Sequence, residues 1–492
     1  MSTYNNKKFI FKIALIATLG GLLFGYDTAV ISGAEQSLQQ YLTKDYGSFI
    51  HGITVSSALI GCIIGGLLSS SFSSRLGRKK SLQVAAILFI ISAILSGYPE
   101  FLFFDSTGSN LGLLIAFNLY RVIGGIGVGL ASAISPMYIS EIAPSSIRGK
   151  LVSWNQFAII FGMLVVYFVN YGITYGQSQN WIQDIGWRYM FITEAIPAIA
   201  FFFLLFLVPE TPRFLSLSNK NTEALSVLNK IYASKNHAQN VLNDILATKN
   251  KLTDVKAPLF SFGKTVIIVG ILLSVFQQFI GINVALYYAP RIFENLGSGS
   301  NTSMIQTVVM GLVNVIFTII AILYVDKFGR KPLLIIGSTG MAIGMIGMSV
   351  LAANGAFGVI TLIFLVLYTA SFMMSWGPII WVLLSEIFPN RIRSSAMAIA
   401  VAVQWLANFT ITSTYPTMMD VSGAMTYGFY ALMSILSGLF VWKFIPETKG
   451  KTLEELESVW KKESVTSVSN QDEKVQSHSE KFKVNLTKQT KN

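Results

Sequence analysis

Apolar residues in this chain fall into runs of about 20, and polar residues collect in the gaps between them. A helix rises about 1.5 Å per residue, so such a run crosses the ~30 Å hydrocarbon layer of a bilayer. Twelve runs are legible, over residues 9–33, 51–72, 81–98, 112–139, 151–172, 189–208, 264–292, 304–325, 333–353, 357–384, 395–416 and 425–445. The pattern predicts an all-α membrane protein with twelve transmembrane helices. One large soluble core is excluded on size, because single cores stop growing beyond roughly 250–300 residues. The first run contains Asp27 and has no small-residue cleavage site, so it reads as a membrane helix and not as a leader.

The gaps carry an orientation. Alternate loops hold Arg75, Arg78, Lys79 and Lys80; Arg148 and Lys150; Lys327, Arg330 and Lys331; and Arg391 and Arg393. The opposite loops hold chiefly Lys44, Arg188 and Arg291. Basic loops stay inside, so both termini are expected in the cytoplasm and the chain in the cell membrane. The polar stretch 209–262 carries Leu225, Leu228, Ile231, Val241, Leu242, Ile245 and Leu246 at helical spacing. It predicts amphipathic cytoplasmic helices between an N-terminal six-helix half (1–208) and a C-terminal six-helix half (263–445). Residues 446–492 form a cytoplasmic tail, with one short helix over 451–461 and disorder expected after about 462.

The two halves repeat the same motifs in the same order. Arg75-Leu76-Gly77-Arg78-Lys79, then Ser140-Glu141 running to Arg148, then Pro209-Glu210-Thr211 are mirrored by Lys327-Phe328-Gly329-Arg330-Lys331, Ser385-Glu386 running to Arg393, and Pro446-Glu447-Thr448. Partners lie about 240 to 250 residues apart. A duplicated unit of this kind predicts a two-half transporter with its site between the halves. The mirrored charges Arg78, Glu141, Arg148, Glu210, Arg330, Glu386, Arg393 and Glu447 suit a cytoplasmic gate. Acids do little to set topology, and solvated pairs of ~0–1 kcal/mol each act as a latch only in numbers.

Composition narrows the chemistry. Only 12% of the 492 residues are charged and 52% are hydrophobic, against roughly 25% charged in a soluble domain. The net charge of +12 follows the loops, so no nucleic-acid partner is implied. The single cysteine, Cys62, excludes a disulfide framework. His51, His237 and His478 are scattered and propose neither a metal site nor a catalytic triad. Gly263-Lys264-Thr265 lacks the leading glycine of a phosphate loop, where Pro258 stands. No enzyme, cofactor or metal is expected.

Two polar constellations fall inside the apolar runs. Asp27 in the first and Arg121 in the fourth would each cost ~2.5–3.5 kcal/mol facing lipid, so each predicts the other as partner. Burial favours a neutral aspartate and a nearby arginine favours the charged form. A helix movement that alters their separation would couple protonation to conformation. Glu194 in the sixth run is a second buried acid, structural or auxiliary to the proton-coupling pair. The second constellation is uncharged: Gln156, Gln277, Gln278, Asn283, Asn314 and Gln404, with Trp381 in the tenth run and Trp405 in the eleventh. Amides offer donors and acceptors together, as a ligand made of hydroxyls requires, and indole faces can lie on a sugar ring. Asn283 is expected to share a broad helix face with Gln277 and Gln278.

GGLLFGYDTAVISG (20–33), YRVIGGIGVGLAS (120–132), QQFIGIN (277–283), DKFGRK (326–331), SWGPIIWVLLSEIFP (375–389) and PETKGKTLEE (446–455) together resemble the sugar porter family of the major facilitator superfamily, over nearly the whole chain. The resemblance implies the major facilitator fold, two pseudo-symmetric six-helix halves, and alternating access around a sugar. It implies that Gln156, Gln277, Gln278, Asn283, Trp381 and Gln404 hold the sugar. Phe24, Tyr287, Asn314, Gly377 and Trp405 would complete the pocket, and Asp27 and Arg121 would form the proton-coupling pair. Facilitative relatives usually have a neutral residue at the position of Asp27. The expected function is a proton-coupled monosaccharide importer, with D-xylose favoured over other pentoses and hexoses and a monomer sufficing. A facilitative uniporter, a non-transporting sugar receptor and an exporter of apolar drugs are the alternatives.

Overall fold

The computed structural model describes residues 7–102, 110–144, 146–251, 260, 264–295, 297–355, 358–389 and 392–449. The expected helix at 451–461, the tail beyond it, Arg391 and His478 lie outside these residues. Among those described, twelve helical segments are long and apolar enough to cross a membrane. They are Lys7–Thr43, Gly47–Leu76, Arg78–Gly97, Leu111–Ile142, Arg148–Thr174, Gln179–Leu207, Thr265–Tyr287, Ser300–Val325, Arg330–Asn354, Val359–Ile387, Ser395–Val421 and Gly423–Phe444. They are called the first to twelfth spans. The protein is a multi-pass membrane protein.

Packing repeats between the first six spans and the last six. The first span packs on the fifth, the second and third on the fourth, and the third on the sixth. The seventh packs on the eleventh, the eighth and ninth on the tenth, and the ninth on the twelfth. Across the two sets the second span lies along the eleventh and the fifth along the eighth. The glycine run of the fourth span makes close approach possible: a Cβ at Gly125 or Gly129 would run into the main chain of the second span. In lipid, where apolar contact brings little hydrophobic gain, such backbone approach is what holds helices together.

Besides a turn at Thr193–Glu194 in the sixth span, the structure departs from the hydrophobic pattern in three places. The first helix does not stop near residue 33. Ala34, Glu35, Ser37, Leu38 and Leu42 face protein, so polar residues extend the span instead of ending it. The seventh span breaks at Gly281, whose φ of +91° only glycine adopts without strain. Helices Thr265–Phe279 and Ile282–Tyr287 meet there, and Ala289–Asn295 follows. Tyr368 Oη donates to the freed carbonyl of Ile280 at 2.7 Å, as backbone at membrane depth requires. The tenth span breaks at Ser375, between Val359–Met374 and Trp376–Ile387.

Three short helices follow the sixth span: Pro212–Leu217, Asn221–Ile231 and Lys235–Lys251. Thr211 caps the first by accepting from Phe214 N at 3.3 Å. Ala224, Val227, Leu228, Ile231, Ala238 and Leu242 are buried. The group packs against the first and fourth spans.

Candidate functional site

Asp27 and Arg121 are in contact and sealed. Arg121 NH1 donates to Asp27 Oδ1 at 2.6 Å and NH2 to the Asp27 backbone carbonyl at 3.1 Å. The residues are 0% and 1% exposed. Arg121 also lies over the Phe191 ring, 5.2 Å from its centre. Glu194 occupies a turn that interrupts the sixth span, between helices Trp187–Ile192 and Ala195–Leu204. It is completely buried and sits in the field of both Asp27 and Arg121. Asp27 Oδ2 and both Glu194 oxygens have no hydrogen-bond partner of standard geometry. One guanidinium therefore faces two carboxyl groups, and the three are neutral together when they hold one proton. An uncompensated charge in such a place costs several kcal/mol.

The amides form a chain. Gln277 Nε2 donates to the Trp376 carbonyl at 3.0 Å. Gln277 Oε1 accepts from Gln278 Nε2 at 3.3 Å and also from Gln404 Nε2. Asn283 Nδ2 donates to Gln278 Oε1 at 2.6 Å. The expected shared helix face is corrected here: Asn283 lies beyond the break at Gly281, and the turn brings it back to Gln278. Gln156 stands apart from this chain, half-buried on the fifth span. Asn314 on the eighth is buried with its Oδ1 unpartnered. Phe24 of the first span meets Trp405 of the eleventh, ring centres 5.7 Å apart, across the two sets of six. Trp381 is half-buried, and Gly377 is buried with a Cβ position 3.2 Å from the Phe372 ring.

Residues absent from the sequence reading join this region. Trp376 reaches back through Nε1 to Ser338 Oγ at 2.8 Å, fixing the carbonyl that Gln277 uses. Asn408, buried, bonds Tyr287 and accepts from Thr412 at 3.1 Å. Tyr287 lies within electrostatic reach of Asp27 and Arg121. The only sequence signal for these groups was their polarity within apolar runs.

Six of the eight mirrored charges build two matching sets. In the first, Arg78 NH2 donates to Glu141 Oε1 at 2.7 Å, and Thr211 Oγ1 to Glu141 Oε2 at 2.7 Å. Glu210 accepts the backbone N–H groups of Arg78 and Lys79 at 3.1 and 3.0 Å. In the second, Arg330 donates to Glu386 at 3.0 Å, and Thr448 to Glu386 at 2.6 Å. Glu447 accepts from the N–H groups of Arg330 and Lys331 at 3.1 and 3.0 Å. Glu210 and Glu447 thus each cap the start of a span from a distant part of the chain. Burial pushes Glu210 above its ordinary value, against the N–H groups of Thr211, Lys79 and Arg78. At Glu447 burial acts in the same sense, but the N–H groups of Lys449, Arg330, Lys331 and Thr448 outweigh it and hold the carboxyl below its ordinary value. These bonds run within one set of six spans. Arg148 is exposed, and Arg393 Nε donates to the Phe388 carbonyl at 3.1 Å.

Twelve spans in two like-packed sets, with polar groups buried between them, define a membrane carrier and not a bond-making enzyme. The family described as sugar (and other) transporter matches residues 13–460, and the chain belongs to it. It is 50% identical over 484 residues to the D-xylose-proton symporter of Escherichia coli strain K12, covering 94% of this chain and 98% of that one. The inward-open structure of the E. coli xylose transporter XylE superposes with a TM-score of 0.82 at 50% identity, covering 92% of this chain and all of that one. The structure of the proton:xylose symporter XylE bound to 6-bromo-6-deoxy-D-glucose gives 0.77 at 49% identity, covering 93% and 100%.

Proposed function

We propose that the protein is a proton-coupled monosaccharide importer, with D-xylose as its sugar, working by alternating access in the cell membrane with both termini in the cytoplasm. The observation that carries the reading is the sealed Asp27–Arg121 pair with Glu194, in whose field Tyr287 lies. Half identity to a D-xylose-proton symporter over nearly the full length supports the choice of sugar and ion.

In this reading Gln156, Gln277, Gln278, Asn283, Trp381 and Gln404 bind the sugar, with Phe24, Tyr287, Asn314, Gly377 and Trp405 closing the pocket. Gln277, Gln278, Asn283 and Gln404 bond one another without sugar, and Gln404 Oε1 and Asn314 Oδ1 are left without partners, so a hydroxyl-bearing ligand can exchange amide–amide bonds for amide–hydroxyl bonds and supply the missing donors. Asp27 takes the external proton. Neutral Asp27 no longer holds Arg121 by charge, and Glu194 becomes the remaining anion for the guanidinium. Proton release on the inner side restores the first pairing. The moving bodies are residues 1–208 and 263–445. Arg78, Glu141, Arg148, Glu210, Arg330, Glu386, Arg393 and Glu447 act at the cytoplasmic gate, first by stiffening each body's inner end.

The energetics suffice. One charge crossing 100 mV supplies ~2.3 kcal/mol, and at ~1.4 kcal/mol per tenfold that sustains about a 40-fold sugar gradient. The test is sugar uptake into proteoliposomes with an internal and external pH readout. D-xylose should alkalinise the outside in step with uptake, and an uncoupler should abolish accumulation. Uptake with no proton movement would replace symport by uniport.

A further inference from the structure

Eight residues outward from Asp27, about 12 Å along the helix, the first span carries a second sealed carboxylate. Glu35 is 1% exposed. Its Oε1 accepts from Arg291 NH1 and lies 2.6 Å from His51 Nε2, while Oε2 has no partner. His51, on the second span, is completely buried, with Nδ1 2.9 Å from Thr43 Oγ1. Arg291 belongs to Ala289–Asn295, the short helix after the break in the seventh span. One turn on, Gln36 Nε2 donates to Glu294 Oε2 of that helix at 2.6 Å. Both contacts bind the first six spans to the last six on the outer side.

The charges facing this cluster are few. Glu35 comes from the first span and Arg291 from the short helix. Tyr288 lies in the field of Glu35 and Arg291, and Tyr415 of the eleventh span lies near Arg291. Asp420 shares with Arg291 the lining of an outer cavity. Lys44 and Asp45, following Thr43, are exposed to solvent. With Arg291 in place, Glu35 has its cation, and a charged imidazole would set a second cation beside a guanidinium. With Arg291 withdrawn, a buried anion is left with the imidazole as its neighbour, and a proton on His51 restores neutrality. Thr43 serves either state. Its hydroxyl donates to a bare Nδ1, or accepts from a protonated Nδ1 and turns its own hydrogen to the Gln39 carbonyl 3.5 Å away.

We propose that His51 is a proton-binding site of the outer gate, filled when Arg291 leaves Glu35 and emptied when it returns, so that external acid favours the outward-open state. The proposal rests on the alternating-access reading. It makes His51 and Glu35 a latch separate from the transport proton at Asp27.

The test is a distance measurement by pulsed electron resonance between nitroxides on Lys44→Cys and Thr302→Cys, in a Cys62→Ser background reconstituted in nanodiscs. Asp27→Asn is added so that the central aspartate does not titrate. The long-distance population should rise several-fold as the medium is acidified from pH 8. His51→Gln should abolish that rise while keeping the short distance at pH 8. His51→Leu, which holds no proton, should keep the outer side shut at every pH, and Glu35→Gln should open it at every pH. A rise that survives in His51→Gln overturns the proposal. A distance that answers to sugar in the parent background but not to acid overturns the His51 assignment alone, and one that answers to neither overturns the alternating-access reading beneath it.

Discussion

Arg121 holds Asp27 twice, through the carboxylate at 2.6 Å and through the main-chain carbonyl at 3.1 Å. The two bonds differ in what a proton does to them. Protonating the carboxylate weakens the first and leaves the second, so the guanidinium is loosened but stays near the first span. A carrier needs that property, since a wholly released arginine would cost several kcal/mol in a sealed interior.

Asp27→Asn should therefore keep Arg121 in place and lose proton coupling. Accumulation in energised vesicles should fall from the order of 40-fold to unity, while counterflow of labelled sugar persists. Undiminished accumulation would remove Asp27 from the proton path.

Gln277 is the hub of the amide chain, with bonds to Trp376, Gln278 and Gln404. Gln277→Ala should weaken sugar binding by about 1–3 kcal/mol, or roughly 5- to 150-fold. Calorimetry on purified protein checks this; unchanged affinity would make Gln277 a strut between helices.

The mirrored glutamates should respond differently to neutralisation. Glu447 is held below its ordinary value, so its charge adds stability above that value, lost as pH falls through the folded one. Glu210 is raised, so its stabilising contribution is present at low pH and lost as pH rises through the folded value. At pH 7 Glu447→Gln should cost more than Glu210→Gln, and the gap should close as pH approaches 4. Both sites border water, so the difference is about 1 kcal/mol at most. Thermal unfolding of the two variants across pH measures it, and equal costs at pH 7 would refute it.

Gly77 and Gly329 have φ of +87° and +89° with ψ near the extended value, a region almost reserved for glycine. A Cβ at either would press on the capping glutamate, Glu210 or Glu447. Gly77→Ala and Gly329→Ala should each destabilise by about 1–3 kcal/mol. Thermal unfolding in detergent gives the cost, and a loss below about 0.5 kcal/mol in either would show the turn relaxing freely.

The twelve spans were legible because lipid imposes one crude rule, length times apolarity, and residues such as Ile10, Leu23 and Val30 obey it. The partnership of Asp27 with Arg121 was legible for the same reason, since each charge had nowhere else to go. The breaks at Gly281 and Ser375 were not, because both lie inside runs apolar enough to read as unbroken helix. The sequence also gave no sign that Glu35, His51 and Arg291 meet. They come from two spans and the short helix after the seventh, and each alone reads as a polar residue near a helix end. The inner charges were legible as a repeated set, but not their wiring: the motif spacing does not tell whether Arg78 turns to its own bundle or to the opposite one.

Beyond the break at Gly281, residues 282–295 form a short lever. Near its pivot stands Asn283, bonded to Gln278, and near its tip stand Arg291 and Glu294, bonded to Glu35 and Gln36. A small tug at the pivot is magnified at the tip. On the proposed reading, recognition of cargo and sealing of the entrance would be a single mechanical event, and a compound that fits the pocket without drawing in Asn283 would occupy the carrier and leave its door ajar.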